Sequence, residues 1–168
     1  MTDPKPRFIT PDGFSRIRAE YDELFGSERP RLVDVISWAA GNGDRSENGD
    51  YIYGRKRLRE IDRRLSYLSK VLKSAKVVDP AGQEDRQTVR FGATVELADE
   101  EDQRRTLMLV GEDEADASEG RISWAAPIAR ALIGARVGDE RTVRLPSGEK
   151  SYEILTINYP ERPVSAAD

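Results

Sequence analysis

The sequence predicts an α+β chain: an antiparallel α-helical coiled-coil hairpin followed by a small domain built on an antiparallel sheet. Three observations predict it. Apolar residues recur at helical spacing as far as Ala75, a short stretch rich in glycine and acid (Gly41–Asp50) interrupts them once, and beyond Gln87 the apolar period becomes that of a strand.

Thr10-Pro11-Asp12 reads as a helix start: a capping residue, proline in the first turn, then an acid. Phe14, Ile17, Tyr21 and Leu24 follow at helical spacing, and after Gly26–Pro30 the pattern resumes with Leu32, Val35, Ile36 and Ala39. Pro30 removes one backbone donor and crowds the preceding turn, so it should kink the helix. The expectation is still one imperfect helix over about 12–39. The second helix is cleaner. Leu58, Ile61, Leu65, Leu68, Leu72 and Ala75 alternate at spacings of three and four, an a/d seam. The short connection makes the two helices antiparallel neighbours. Roughly 28 residues at 1.5 Å each give an arm about 40 Å long.

Val77–Gln87 reads as a linker with a Pro-Ala-Gly turn. Thr94–Leu97, Thr106–Val110, Arg141–Leu145 and Ser151–Tyr159 read as strands, Pro127–Gly134 as a short helix and Val137–Asp139 as a turn. The expected boundaries are 1–77 for the arm with its tip at about 41–50, 78–86 for the linker, 87–160 for the sheet domain and 161–168 for a flexible tail.

Composition narrows the chemistry. The 168 residues carry 35% charged side chains yet a net charge of only −4, so any nucleic-acid contact rests on local charge. There is no cysteine and no histidine. Disulfides, thiolate metal sites, cysteine nucleophiles and Ser-His-Asp catalysis are excluded, which leaves carboxylates, lysines, tyrosines or an oxygen-bound metal. The segment MTDPKPRFIT lacks the apolar core of a signal peptide, and no run approaches a membrane span. A cytoplasmic protein is expected.

The tip carries Asp44, Glu47 and Asp50. Asp44-Arg-Ser-Glu47 fits a capping box, and Asn48-Gly49 reads as an ordinary turn. The acids also fit a metal. Two carboxylates about 5 Å apart repel by near 1 kcal/mol in water and roughly 3 kcal/mol at an effective dielectric of 20, so in a confined site they require a cation. Oxygen-only donors favour Mg²⁺, which is usually held by one or two carboxylates with phosphates and water. Asp44 and Glu47 thus make half a metal site. Behind them, Arg55–Lys76 holds nine Lys/Arg against Glu60 and Asp62, with Arg55, Arg59 and Arg63 on one stripe. That stripe suits either a solvated helix face or a phosphate-binding one.

GDRSENGDYIYGRKRLREIDRRLSYL, from Gly43 to Leu68, closely resembles the corresponding stretch of GreB-type transcript cleavage factors of bacterial RNA polymerase, the Gre family. The resemblance extends to ERP (Glu28–Pro30), WAA (Trp38–Ala40), KVVD (Lys76–Asp79), VGEDEAD (Val110–Asp116) and ARALIGARVGDE (Ala129–Glu140). It implies an arm that enters the polymerase's secondary channel, and an FKBP-like C-terminal domain that docks on the channel rim. It implies that Asp44 and Glu47 help to hold a Mg²⁺ shared with the polymerase active site, with none bound tightly by the chain alone, and that Asp50 supports them. Arg55, Lys56, Arg59 and Arg63 are then expected to contact the 3′ end of backtracked nascent RNA, and Tyr51 to pack the tip. The polymerase performs the hydrolysis; the factor, expected as a monomer with no membrane role, activates it. Asn42 and Gly49 depart from the family's apolar or alanine residues, and with Gly41 and Gly43 they imply a looser tip. Two other functions compete: a non-cleaving regulator or inhibitor in the same channel, and a stand-alone adaptor or prolyl isomerase. Phe91, Trp124, Tyr152 and Tyr159, the large aromatics of the second domain, are more easily used in its core than in an isomerase pocket.

Overall fold

A computed structural model describes residues 7–42 and 48–162. The chain divides into two compact units: Phe14–Ser74, and the segment up to Gly13 together with the chain from Ala75 onward. Among the described residues no helix is long and apolar enough to cross a membrane.

The first unit is the helical hairpin. Helix α1 (Pro11–Glu23), a π turn (Leu24–Glu28) and α2 (Arg29–Ala40) form one continuous path, and α3 (Gly49–Ser74) returns. The π turn is how the helix absorbs Pro30. The ring crowds the carbonyl four residues back, and widening the turn just before it removes the conflict. The Arg29 N–H bonds to the Leu24 carbonyl, and Glu28 and Arg29 both keep right-handed helical angles. The seam buries Ile17, Leu24 and Ala39 against Gly54, Ile61, Leu65, Leu68 and Val71. Val71, rather than the expected Leu72, is the fully buried residue of the last turn, and Leu58 is only half-buried. Gly54 sits where a Cβ would lie 2.7 Å from Ile36 Cγ1, so the Ile36 side chain of α2 packs directly on the α3 backbone there.

Ion pairs line the seam. Arg29 bonds Asp62 at 2.8 Å, Arg57 bonds Glu28 at 2.6 Å and Glu60 at 3.4 Å, and Arg64 bonds both oxygens of Glu20 at 2.6 and 2.8 Å. Arg64 also lies over the Tyr67 ring, 5.2 Å from its centroid. The hydrogen bond from Arg64 lowers the Glu20 carboxyl below its ordinary range, and Glu20 in return raises Arg64.

The second unit holds two sheets. Strands β1 (Arg7–Ile9) and β2 (Ala75–Val77) pair in parallel, Arg7 with Ala75 through Ile9 with Val77. The larger sheet comprises β3 (Thr94–Asp99), β4 (Arg104–Val110), β5 (Arg121–Ser123), β6 (Glu140–Leu145) and β7 (Gly148–Asn158), in the order β5-β4-β3-β7-β6. Its pairs are antiparallel except β4 with β5, and the β3–β7 register shifts between Glu96 and Leu97. Helix α4 (Pro127–Leu132) contributes Ala129 and Leu132 to a core with Val95, Leu97, Leu107, Leu109, Val143, Tyr152 and Ile154. The Tyr159 hydroxyl donates to the Thr88 carbonyl at 2.6 Å and accepts from the Arg90 N–H; burial raises its pKa. Trp124 packs on Phe8 (5.0 Å between centroids) and Phe91 (6.2 Å).

Strands β1, β2 and β5 are absent from the sequence expectation, since three residues cannot display a period. Because β1 pairs with β2, both ends of the expected 1–77 arm count with the second unit. The expected linker at 78–86 is pinned. Asp79 caps a 3₁₀ turn over Pro80–Gly82 with Pro80 and Ala81 buried, and Arg86 donates to the carbonyls of Ala81, Gln83 and Pro160. Of the expected tail, residues 163–168 lie outside the described residues.

Thr10 caps α1 as the sequence predicts: its hydroxyl accepts from the Gly13 N–H at 3.1 Å. Glu114, itself buried, holds that cap. It accepts from the Thr10 N–H at 2.7 Å, from the Thr10 hydroxyl, and from the Gly111 N–H at 2.9 Å.

Three outcomes follow from this packing. Alanine gains about 1 kcal/mol over glycine in an open helix, but overpacking a filled site costs about 1–3 kcal/mol. Gly54→Ala is therefore expected to destabilise in chemical denaturation, whereas Gly26→Ala, with nothing within 4 Å of its Cβ, is expected to stabilise; equal effects at the two sites would contradict the close approach. Glu114→Gln turns an amide donor toward donors and is expected to cost about 1–3 kcal/mol in the same measurement. Glu20 has a depressed folded pKa, so its contribution is fully present above the ordinary glutamate value of 4.5 and is lost as the pH falls through the folded value. Stability curves of wild type and Glu20→Gln should therefore differ at pH 7 by about 0.2–1 kcal/mol and converge in acid; parallel curves would remove the pair from the account.

Candidate functional site

The segment that carries the predicted chemistry joins α2 to α3. Asp44 and Glu47 lie outside the described residues. The structure gives the frame on either side of them. At the end of α2, Gly41 N–H bonds the Trp38 carbonyl and Asn42 N–H the Ala39 carbonyl, each at 3.1 Å. At the start of α3, the Asn48 side chain does two things. Its Oδ1 accepts from the Tyr51 N–H at 3.2 Å, which makes it the helix cap, and its Nδ2 donates to the Ala39 carbonyl at 2.6 Å. From sequence Asn48-Gly49 reads as an ordinary turn; instead Asn48 caps α3 and ties it to the end of α2, and Gly49 is already helical. One hydrogen bond, Asn48 to Ala39, thus ties the described end of α2 to the start of α3.

Asp50 is exposed in the first turn of α3, where the helix dipole favours an acid, so it has a structural reason for its place. Tyr51 is half-buried beside the Asn48 cap. Arg55, Lys56, Arg59 and Arg63 are all exposed and enter no ion pair among the described residues. Arg57 and Arg64, interleaved with them in the sequence, are consumed by Glu28, Glu60 and Glu20. The cations of α3 therefore sort into two sets: those that border the seam are neutralised, and the outward stripe keeps its charge.

No group of three or more acids, histidines or cysteines suited to a metal occurs among the described residues. Of the three acids expected as metal donors at this end of the hairpin, Asp50 alone is among the described residues. Asn48 and Gly54 are the residues that sequence reasoning misses. Gly54 had a signal, since it stands seven residues before Ile61 and so on the seam register.

Comparison with known proteins agrees with this architecture in both units. The family model for the N-terminal domain of transcription elongation factors matches residues 7–77, and the model for the GreA/GreB C-terminal domain matches residues 83–159. The transcription elongation factor GreB of Neisseria meningitidis serogroup B (strain MC58) is 47% identical over 159 residues, covering 95% of this chain and 98% of the relative. That of Yersinia pestis is 47% identical over 155 residues (92% and 90%), and that of Pseudomonas aeruginosa 46% over 157 residues (92% of each). With both domains matched and relatives of one type aligned almost end to end, the chain belongs to the GreA/GreB family of transcription elongation factors and is of the GreB type.

Proposed function

We propose that this chain is a transcription elongation factor that enters the secondary channel of RNA polymerase and stimulates the polymerase's cleavage of backtracked nascent RNA. One observation carries the reading: a stripe of exposed cations on α3 that enter no ion pair among the described residues, on the helix that follows the acidic segment in sequence.

Each part has a task. The Asn48–Ala39 bond and the Ile36–Gly54 contact fix the described residues on either side of the tip that carries Asp44 and Glu47. Their two carboxylates would help to hold a Mg²⁺ shared with the polymerase. That ion, when bound, makes water more acidic and stabilises charge on the scissile phosphate. Two carboxylates alone do not hold Mg²⁺ tightly, so the chain acts only inside its partner, and hydrolysis remains the polymerase's reaction. Arg55, Lys56, Arg59 and Arg63 offer charge to the phosphates of the extruded 3′ end. The sheet domain serves as the body that docks on the channel rim.

The test is cleavage of labelled RNA in stalled, backtracked elongation complexes. Asp44→Asn with Glu47→Gln should abolish stimulation while binding to polymerase is unchanged; cleavage by this variant at the wild-type rate would refute the assignment. Replacing the four unpaired cations by alanine should weaken apparent affinity and flatten its salt dependence, by up to about 0.7 in log–log slope for each cation that neutralises a phosphate. The same change applied to Arg64, already held by Glu20, should leave the slope unaltered.

A further inference from the structure

The outer end of the hairpin exposes large apolar side chains that the roles above do not use. Trp38 is 65% exposed, Tyr53 70% and Val35 46%. Neither Trp38 nor Tyr53 has a ring partner among the described residues. Helical register places them together. The Glu28–Arg57 bridge marks one flank of the hairpin. Val35 follows Glu28 by seven residues and Tyr53 precedes Arg57 by four, so both lie on that flank. The Ile36–Gly54 contact sets positions 35 and 53 within about 3 Å of each other along the helix axes. Trp38 lies on α2 about one turn nearer the acidic segment.

Charge borders this apolar flank. Arg31, seven residues before Trp38 and on its stripe, bonds the Ser27 hydroxyl at 3.1 Å and enters no ion pair among the described residues. Lys56, three residues after Tyr53, enters none either. Exposed aromatic faces between unpaired cations match a ligand of flat rings joined by phosphates, because every nucleobase has a face to stack and every link carries a negative charge. We propose that Trp38 and Tyr53 form a stacking site for an unpaired base of RNA, with Arg31 and Lys56 taking the adjoining phosphates. The proposal rests on the cleavage-factor reading and extends it from the RNA backbone to the base. Stacking reads no hydrogen-bond pattern, so the site accepts any base and favours the larger purines.

The experiment uses backtracked elongation complexes whose extruded 3′ nucleotides are either normal or abasic. The readout is the concentration of the chain that gives half-maximal cleavage, together with the rate at saturation. Wild type should need about ten times more protein on abasic RNA. Trp38→Ala with Tyr53→Ala should need about that much more on normal RNA and be indifferent to removal of the bases, with the saturated rate unchanged. Trp38→Phe should restore most of the loss. A double variant that is weakened equally on normal and abasic RNA means that the flank touches polymerase protein, and overturns the proposal. So does a variant that matches wild type throughout. Both results leave the cleavage reading standing. A wild-type chain that stimulates no cleavage on any RNA removes both readings at once.

Discussion

The helical hairpin depends on one close approach, that of α2 to α3 at Ile36 and Gly54. A Cβ at position 54 would lie 2.7 Å from Ile36 Cγ1, so a side chain there forces the α2 side chains to give way. With the approach in place, the last turn of α2 and the first turn of α3 are fixed to each other. The acidic segment between them then has both of its anchors defined. Levels along the two helices are defined as well, so Glu28 meets Arg57. Packing at a single glycine thereby governs what chemistry the hairpin presents.

The distribution of charge on α3 is uneven. Exposed ion pairs stabilise by only about 0.2–1 kcal/mol each, and like charges four residues apart cost a few tenths. A helix arranged for stability alone would mix signs on its outer face as it does along the seam. Instead Arg57 and Arg64 find acids, while Arg55, Arg59 and Arg63 repeat every fourth residue with none among the described residues. The repulsion is small enough to tolerate and is relieved when a polyanion lies along the stripe.

Much of this was legible in the sequence because it rests on period and composition. Ile61, Leu65 and Leu68 announce the seam, Thr10 announces the cap, and the strands of the larger sheet announce themselves by alternation, β5 excepted. Asp44 and Glu47 lie outside the described residues, so their part of the site rests on the sequence. What was hidden depends on partners remote in sequence. β1 and β2 are three residues each and become strands only by finding one another across the whole hairpin. Glu114 reads as one acid in an acidic run, yet it is the buried acceptor for a cap more than a hundred positions earlier. The π turn is likewise invisible as a pattern, since it answers the backbone of Pro30 rather than any side-chain period.

The parallel pairing of β1 with β2 has a topological consequence. Parallel neighbours cannot be joined by a tight turn; they need a crossover of a dozen or more residues. The helical hairpin is that crossover, so in chain topology the arm is an insertion in the second unit rather than a domain placed before it. Excision is therefore asymmetric. The arm can be exchanged for another hairpin, or for a long flexible bridge at a modest entropic cost that grows only with the logarithm of its length. A short splice between Ile9 and Ala75 instead pulls β1 from its partner and Phe8 from Trp124 and Phe91. The same topology makes the arm a cassette that can be replaced as a whole while the sheet that receives it is conserved.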